Sequence, residues 1–147
     1  MSRIHYDHCF RNGEPCRHGP PGTLVYICEP DRGTADRQAR DCAEYARTRA
    51  WRVVGTIIES TPDRPLGERE GWRRAGERLR DETADAIVTW HPRHVVGTGG
   101  GAGETGGVRG AKQADDRDGA AAFAVLQRDF RARRLVLVAA TGAPAPA

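Results

Sequence analysis

The sequence lacks any apolar run close to the roughly 18 to 20 residues that a membrane-spanning helix needs. Its first residues, MSRIHYDHCFRNGEPCRHG, also lack the apolar middle of a secretory signal. We therefore expect a cytoplasmic protein that does not contact membranes. In that compartment, the four cysteines are more typical of thiols or metal ligands than of disulfides.

Lysine is scarce as well, and neither sign of charge strongly predominates. Lys112 is the single lysine among 23 basic residues, and the formal net charge is only +3. Because the 20 acidic residues are interspersed with the arginines, charge alone does not predict binding to nucleic acid. The 147 residues, 38% of them hydrophobic, are enough for one domain with a small core.

Short apolar runs alternate with amphipathic segments along the chain. We predict strands at residues 23–28, 51–59, 85–90 and 134–139. We predict three helices between them: one capped by Thr34, one beginning at Pro65, and one capped by Asp118 with Ala122, Phe123, Leu126 and Phe130 on its apolar face. Strands that alternate with helices indicate a parallel sheet covered on both faces. The predicted fold class is therefore α/β, a three-layer α/β/α domain with a mostly parallel sheet of about four strands.

The same pattern predicts how the chain is divided. A polar N-terminal extension covers residues 1–22, the domain covers 23–140, and a tail covers 141–147. Within the domain, a Gly-rich segment at about 95–117 has little to bury, so we expect a flexible insertion there. It does not read as a phosphate-binding loop, because Gly107 and Val108 stand where lysine and a hydroxyl residue are required.

Three segments in this order resemble a known family: DRQARDCAEYARTRAWRVV, STPDRP and GERLRDETADAIVTW. They are similar to the catalytic domain of serine recombinases, the resolvase/invertase group. The resemblance covers about Leu24 to Trp90 and extends more loosely through LQRDFRARRLVLVA. It implies a resolvase-like fold, DNA recombination by strand exchange, and a serine that attacks DNA phosphodiesters while arginines stabilise the charge on the phosphate.

The matched positions depart from the family at the reacting groups. Aligning Tyr26 with the family tyrosine puts Cys28 at the activating arginine and Pro30 at the nucleophilic serine. The sequence contains two serines, Ser2 and Ser60, and Ser60 matches a different serine of the family. The resemblance therefore implies a recombinase-like domain without an intact catalytic set.

Three residues stay as candidates for contact with DNA phosphates: Gln38, Arg64 and Arg93. The family chain continues into a dimerisation helix and a DNA-binding domain that this sequence does not contain. We therefore expect weak binding to DNA, and a second copy or another recombinase as the protein partner.

Two alternatives come from other residues. Five metal-ligating side chains crowd one short segment: His5, His8, Cys9, Cys16 and His18. They could supply the four ligands of a zinc ion in a small zinc-binding or protein-interaction module, although a polar tail explains the same residues. The second alternative is an enzyme of unrelated chemistry that uses Cys28 or Glu29, against which stands the simpler interpretation of Cys28 as a core residue.

Overall fold

A computed structural model describes residues 20–96 and 111–141, with side chains left out of the description at 111–118. The strands and helices of these residues are β1 (Gly22–Cys28), α1 (Arg32–Thr48), β2 (Arg52–Glu59), α2 (Glu70–Arg80), β3 (Ala86–Thr89), α3 (Arg93–Val96), α4 (Ala111–Ala132) and β4 (Val136–Ala139). A 3₁₀ turn, Leu66–Glu68, precedes α2. None of these helices is long and apolar enough to cross a membrane.

The four strands form one parallel sheet in the order β2-β1-β3-β4. The register places Tyr26 of β1 beside Ile57 of β2 and Thr89 of β3. The carboxyl ends of the strands therefore meet at one edge of the sheet, which we call the carboxyl edge. The predicted fold class is confirmed.

Each face of the sheet carries its own core. Under α1, the buried residues are Val25, Ile27, Ala35, Cys42, Ala46, Trp51 and Val88. On the other face, α2, α3 and α4 cover a cluster that includes Leu24, Tyr26, Leu79, Ile87, Val95, Phe123, Phe130 and Leu137. The alternation of β1 residues between the two clusters is the period of a strand buried on both faces.

An irregularity in β2 is stabilised by an arginine from α2. The register between β1 and β2 shifts at Thr23/Leu24, so Val54 is an extra residue in β2. The carbonyl of Val54 accepts a hydrogen bond from Arg78 Nη2 at 3.2 Å. Gly55 makes this approach possible, because a Cβ there would lie 2.6 Å from Arg78 Nη1.

The three predicted helix starts are wrong. Helix α2 begins at Glu70 and not at Pro65, because the residues after Pro65 form the separate 3₁₀ turn Leu66–Glu68. Helix α1 begins at Arg32, because the carboxylate of Asp31 accepts from the Thr34 amide at 2.8 Å and caps the helix three residues before the predicted cap. Helix α4 begins at Ala111, well before Asp118, since Ala111, Lys112 and Gln113 are good helix formers.

The predicted bounds of the Gly-rich insertion, about 95–117, are also wrong at both ends. Val95 and Val96 lie in α3, and residues 111–117 lie in α4. The rest of that segment lies outside the described residues, as do residues 1–19 and 142–147. On α4, Phe123 and Phe130 are buried as predicted, whereas Ala122 is exposed.

Helices α1, α2 and α4 end in the same way without a glycine. After each helix, one residue adopts a left-handed backbone: Ala50 (φ 59°), Glu82 (φ 60°) and Arg134 (φ 58°). After α4, Leu135 N donates to Phe130 O at 2.8 Å and Arg134 N donates to Arg131 O at 2.9 Å, which is the pattern of a Schellman motif. Glycine is the usual residue at such positions because it has no Cβ to strain.

We therefore expect Ala50→Gly to stabilise the protein. Relief of the left-handed strain should outweigh the extra freedom of glycine in the unfolded chain and raise the free energy of unfolding by about 1 kcal/mol. Urea unfolding of the variant measures this value. The matched control is Ala43→Gly in the interior of α1, which should lower the free energy of unfolding by about 1 kcal/mol. Equal destabilisation by both changes would contradict the strain argument.

Candidate functional site

Arg69, just before α2, connects the loops of the carboxyl edge. It is only 1% exposed. Its Nε donates to Arg64 O at 2.9 Å, its Nη2 to Pro62 O at 3.0 Å, and its Nη1 to His94 O at 2.6 Å, with the Tyr26 hydroxyl 3.4 Å from Nη1. Four of the five N–H groups of the guanidinium thus have acceptors inside the protein.

Glu59, at the end of β2, carries a negative charge near the buried guanidinium of Arg69, and the Tyr26 hydroxyl forms hydrogen bonds with both groups. The Tyr26 hydroxyl donates to Glu59 Oε2 at 2.6 Å. Burial, reinforced by that hydrogen bond, raises the pKa of Tyr26 well above its usual value, so the phenol stays neutral. The same carboxylate accepts the amides of Gly71 and Trp72 at 2.8 and 3.2 Å and so caps the first turn of α2.

His94, in the single-turn helix α3, is held neutral under the same edge. It is 1% exposed, and its Nδ1 accepts the Cys28 amide at 2.9 Å. Burial, together with the nearby charges of Arg93, His91 and Arg69, lowers the pKa of His94 to about 4. The remaining proton is therefore on Nε2, which is buried and has no hydrogen-bond partner within residues 20–96 and 111–141.

The loop after β1 exposes no hydroxyl or thiol group between Cys28 and Asp31. Cys28 is 4% exposed, and burial raises the pKa of its thiol, which keeps it a poor nucleophile. Pro30 is exposed and carries no reactive group. The Glu29 amide donates to Glu59 O at 2.8 Å, and Glu29 Oε2 lies 4.0 Å from Arg93 Nη2.

The structure separates the three predicted DNA contacts. Arg64 is exposed in the loop after β2, and the Arg93 side chain is 49% exposed beside Glu29. Gln38 instead lies on the buried face of α1, where its Oε1 has no partner among the described residues. Only the two arginines present their side chains to solvent.

The central residues of the edge, Arg69, Glu59 and His94, were not among the predicted site residues. An arginine followed by glutamate at the start of a helix is typical of a solvated first turn. Arg69 is buried because the carbonyls of its own loop and the carbonyl of His94, 25 residues away, converge on it, and the distant contact has no signature in the local sequence. His94 has no local signature either, because its ring accepts the amide of Cys28, 66 residues away.

The described residues of the carboxyl edge are not positively charged overall. Residues 28–34, 59–70 and 90–96 contain four arginines, Arg32, Arg64, Arg69 and Arg93, and six acidic residues, Glu29, Asp31, Glu59, Asp63, Glu68 and Glu70. Among the described residues, no group of three or more His, Cys, Asp or Glu side chains could hold a metal ion. The predicted zinc ligands, from His5 to His18, lie outside those residues.

Comparison with known proteins gives a likeness of fold. No protein-family model matches the sequence, and no curated protein matches it. A solved structure that is similar is the C-terminal catalytic domain of ISC1926 TnpA, an IS607-like serine recombinase. The two share 11% sequence identity at a TM-score of 0.57, with 86% of this chain and 71% of that chain covered. The chain therefore has a fold like that of a serine recombinase catalytic domain, as the sequence resemblance implied.

The buried neutral His94 predicts a loss of stability in mild acid. Its folded pKa of about 4 lies below the ordinary value of 6.5, so the folded state favours the neutral ring. The resulting stability is complete above pH 6.5 and is lost as the pH falls toward 4. Between pH 7.5 and 5.0 the loss should be about 2 kcal/mol.

Urea unfolding at these two pH values measures the effect, and His94→Asn is the matched variant. Asparagine keeps an oxygen that can accept the Cys28 amide but has no titratable ring, so its stability should change much less over this range. Equal pH dependence of the wild type and the variant would show that His94 is not the responsible group.

Proposed function

We propose that this chain is a serine recombinase-like domain that does not cleave DNA and that contacts DNA phosphates through Arg64 and Arg93. The observation that carries the proposal is the chemistry of the carboxyl edge. The position that the family resemblance assigns to the nucleophilic serine is Pro30, and the most central arginine of the edge, Arg69, is buried in contacts with the protein itself.

Strand exchange by a serine recombinase needs two kinds of group. One is a hydroxyl that attacks the phosphodiester, and the other is a set of positive donors already aimed at the charge that develops on the phosphate. Cys28, two residues before Pro30, carries a thiol, but its burial and raised pKa argue against attack. Arg69 cannot turn toward a phosphate without leaving the carbonyls of Pro62, Arg64 and His94 unpaired.

Binding is compatible with this edge, but the number of contacts is small. Arg64 and Arg93 are exposed, and a guanidinium suits phosphate recognition. Acidic residues stand beside both: Asp63 precedes Arg64, and Glu29 lies 4.0 Å from Arg93. We therefore propose weak binding without sequence readout, which depends strongly on salt.

The wild-type protein should form no covalent adduct with DNA. We expect none on a denaturing gel after incubation with a labelled duplex pool of random sequence. Pro30→Ser should also form none, because the guanidinium of Arg69 would still be occupied by the carbonyls of Pro62, Arg64 and His94. A protease-sensitive adduct formed by the wild type would overturn the proposal. An adduct formed by Pro30→Ser alone would show that the missing serine is the whole defect and that Arg69 is not part of it.

The double variant Arg64→Gln/Arg93→Gln should weaken binding to duplex DNA. Removing two phosphate contacts should reduce the magnitude of the slope of log affinity against log salt by about 2. A matched control, Arg52→Gln/Arg80→Gln, removes the same charge from exposed positions at the opposite end of the sheet. An unchanged slope in the first variant would refute contact through Arg64 and Arg93.

A further inference from the structure

A group of exposed arginines lies at the end of the domain opposite the carboxyl edge. Arg131 is in the last turn of α4, and Arg133 and Arg134 are in the turn that leads into β4. All three side chains are exposed. We call them the β4-entry arginines. Because β4 is parallel to the other strands, its beginning lies at the amino edge of the sheet.

Within the described part of the chain, no ion pair neutralises the charge of these arginines. The ion pairs formed within the described residues join Arg32 to Asp36, Arg47 to Glu44 and Arg93 to Glu29, and none includes a β4-entry arginine. From Arg128 to Leu135, Asp129 is the single acidic residue beside four arginines. This is the opposite balance from the carboxyl edge, where acidic residues outnumber arginines.

The turn holds the backbone of these arginines in a fixed direction. The two Schellman hydrogen bonds, Leu135 N to Phe130 O and Arg134 N to Arg131 O, close the end of α4. The guanidinium of Arg133 lies over the Phe130 ring, 5.4 Å from its centroid, and its Nε is 3.5 Å from Asp129 O. The backbone of the β4-entry arginines and the side chain of Arg133 are therefore ordered before a partner binds.

The helix dipole explains only part of this group. The partial negative charge at the end of α4 favours a cation in the last turn, which accounts for Arg131. Arg133 and Arg134 follow the end of the helix. An interface with a protein usually has an apolar centre, whereas the one exposed large hydrophobic residue of the described chain, Val125, lies two turns earlier in α4. Arginines without an apolar centre fit the phosphate backbone of a nucleic acid.

We propose that Arg131, Arg133 and Arg134 form a second phosphate-binding surface for duplex DNA, separate from the carboxyl edge. This inference rests on the proposed function only in taking DNA as the partner, and it does not depend on Arg64 or Arg93. It makes the amino edge, rather than the edge that carries the reacting groups in the family, the more basic contact of this chain with DNA.

The test is a salt series of binding to a labelled duplex with the triple variant Arg131→Gln/Arg133→Gln/Arg134→Gln. We expect affinity at low salt to fall by about tenfold or more, and the log–log salt slope to decrease in magnitude by about 3. The matched control is Arg47→Gln/Arg49→Gln/Arg52→Gln, which removes equal charge near the start of β2. There Arg47 is paired with Glu44 at 3.0 Å and Arg49 lies over the Tyr45 ring at 3.5 Å.

A second variant guards against loss of the fold. Arg131→Lys/Arg133→Lys/Arg134→Lys keeps the charge and should bind DNA with nearly the wild-type slope, and thermal unfolding checks that both triple variants are folded. The inference fails if the glutamine variant binds like the wild type, or if the control variant loses as much affinity, since net charge alone would then explain the binding.

Comparison with Arg64→Gln/Arg93→Gln separates this inference from the proposed function. Loss of binding in the β4-entry variant alone supports the inference and refutes DNA contact at the carboxyl edge. Loss of binding in the Arg64→Gln/Arg93→Gln variant alone supports DNA contact at the carboxyl edge and refutes contact through the β4-entry arginines. A wild-type protein that binds no duplex at low salt overturns both, and binding of an acidic protein in its place would identify the other kind of partner.

Discussion

The buried guanidinium of Arg69 is the interaction on which the carboxyl edge depends. It ties the loop after β2 to α3 and reaches the hydroxyl of Tyr26 in the central strand. A buried charge is costly unless polar groups surround it. Here carbonyl dipoles and the Tyr26–Glu59 pair provide those groups, so each loop is held by the requirement to satisfy one cation. The hydrogen bonds that fix the shape of this edge use the N–H donors of Arg69, so those donors are not free for a substrate.

Much of the fold follows from patterns that are local in the sequence. The runs TLVYIC, WRVVGTIIE and DAIVTW became β1, β2 and β3 within two residues at each end, because apolar strands bounded by loops leave few other assignments. The site was less predictable. Burial of Arg69 depends on the carbonyl of His94, 25 residues away, and the position of the proton on the His94 ring depends on the amide of Cys28, 66 residues away. Neither residue shows its role through its neighbours in sequence. The start of α4 was predicted too late for a different reason. The glycines before Ala111 led to the interpretation of residues 95–117 as one flexible insertion, although the last residues of that segment favour a helix.

A similar fold does not by itself imply the same chemistry. The fold of this chain is similar to that of a domain that in another protein is the catalytic domain of a serine recombinase. The groups at the carboxyl edge include Pro30, the buried thiol of Cys28 and the neutral imidazole of His94. They also include Arg69, whose guanidinium is hydrogen-bonded to carbonyls of the protein. Charge is also distributed unevenly among the described residues, since acidic residues outnumber arginines at the carboxyl edge and arginines predominate at the entry to β4. A fold fixes where a site is located, whereas the side chains at that location decide what reaction it supports.

The extra residue in β2 also changes the side strand that the sheet presents to other chains. Strand β2 lies at one side of the sheet and is eight residues long, with the sequence RVVGTIIE. A long, flat, apolar side strand is a template on which another chain can add a strand and start an aggregate. In β2, the bulge at Val54 bends that template, and the charged side chain of Arg78 covers the Val54 carbonyl. Gly55 leaves room for this guanidinium, so β2 has one free carbonyl fewer with which another strand could pair.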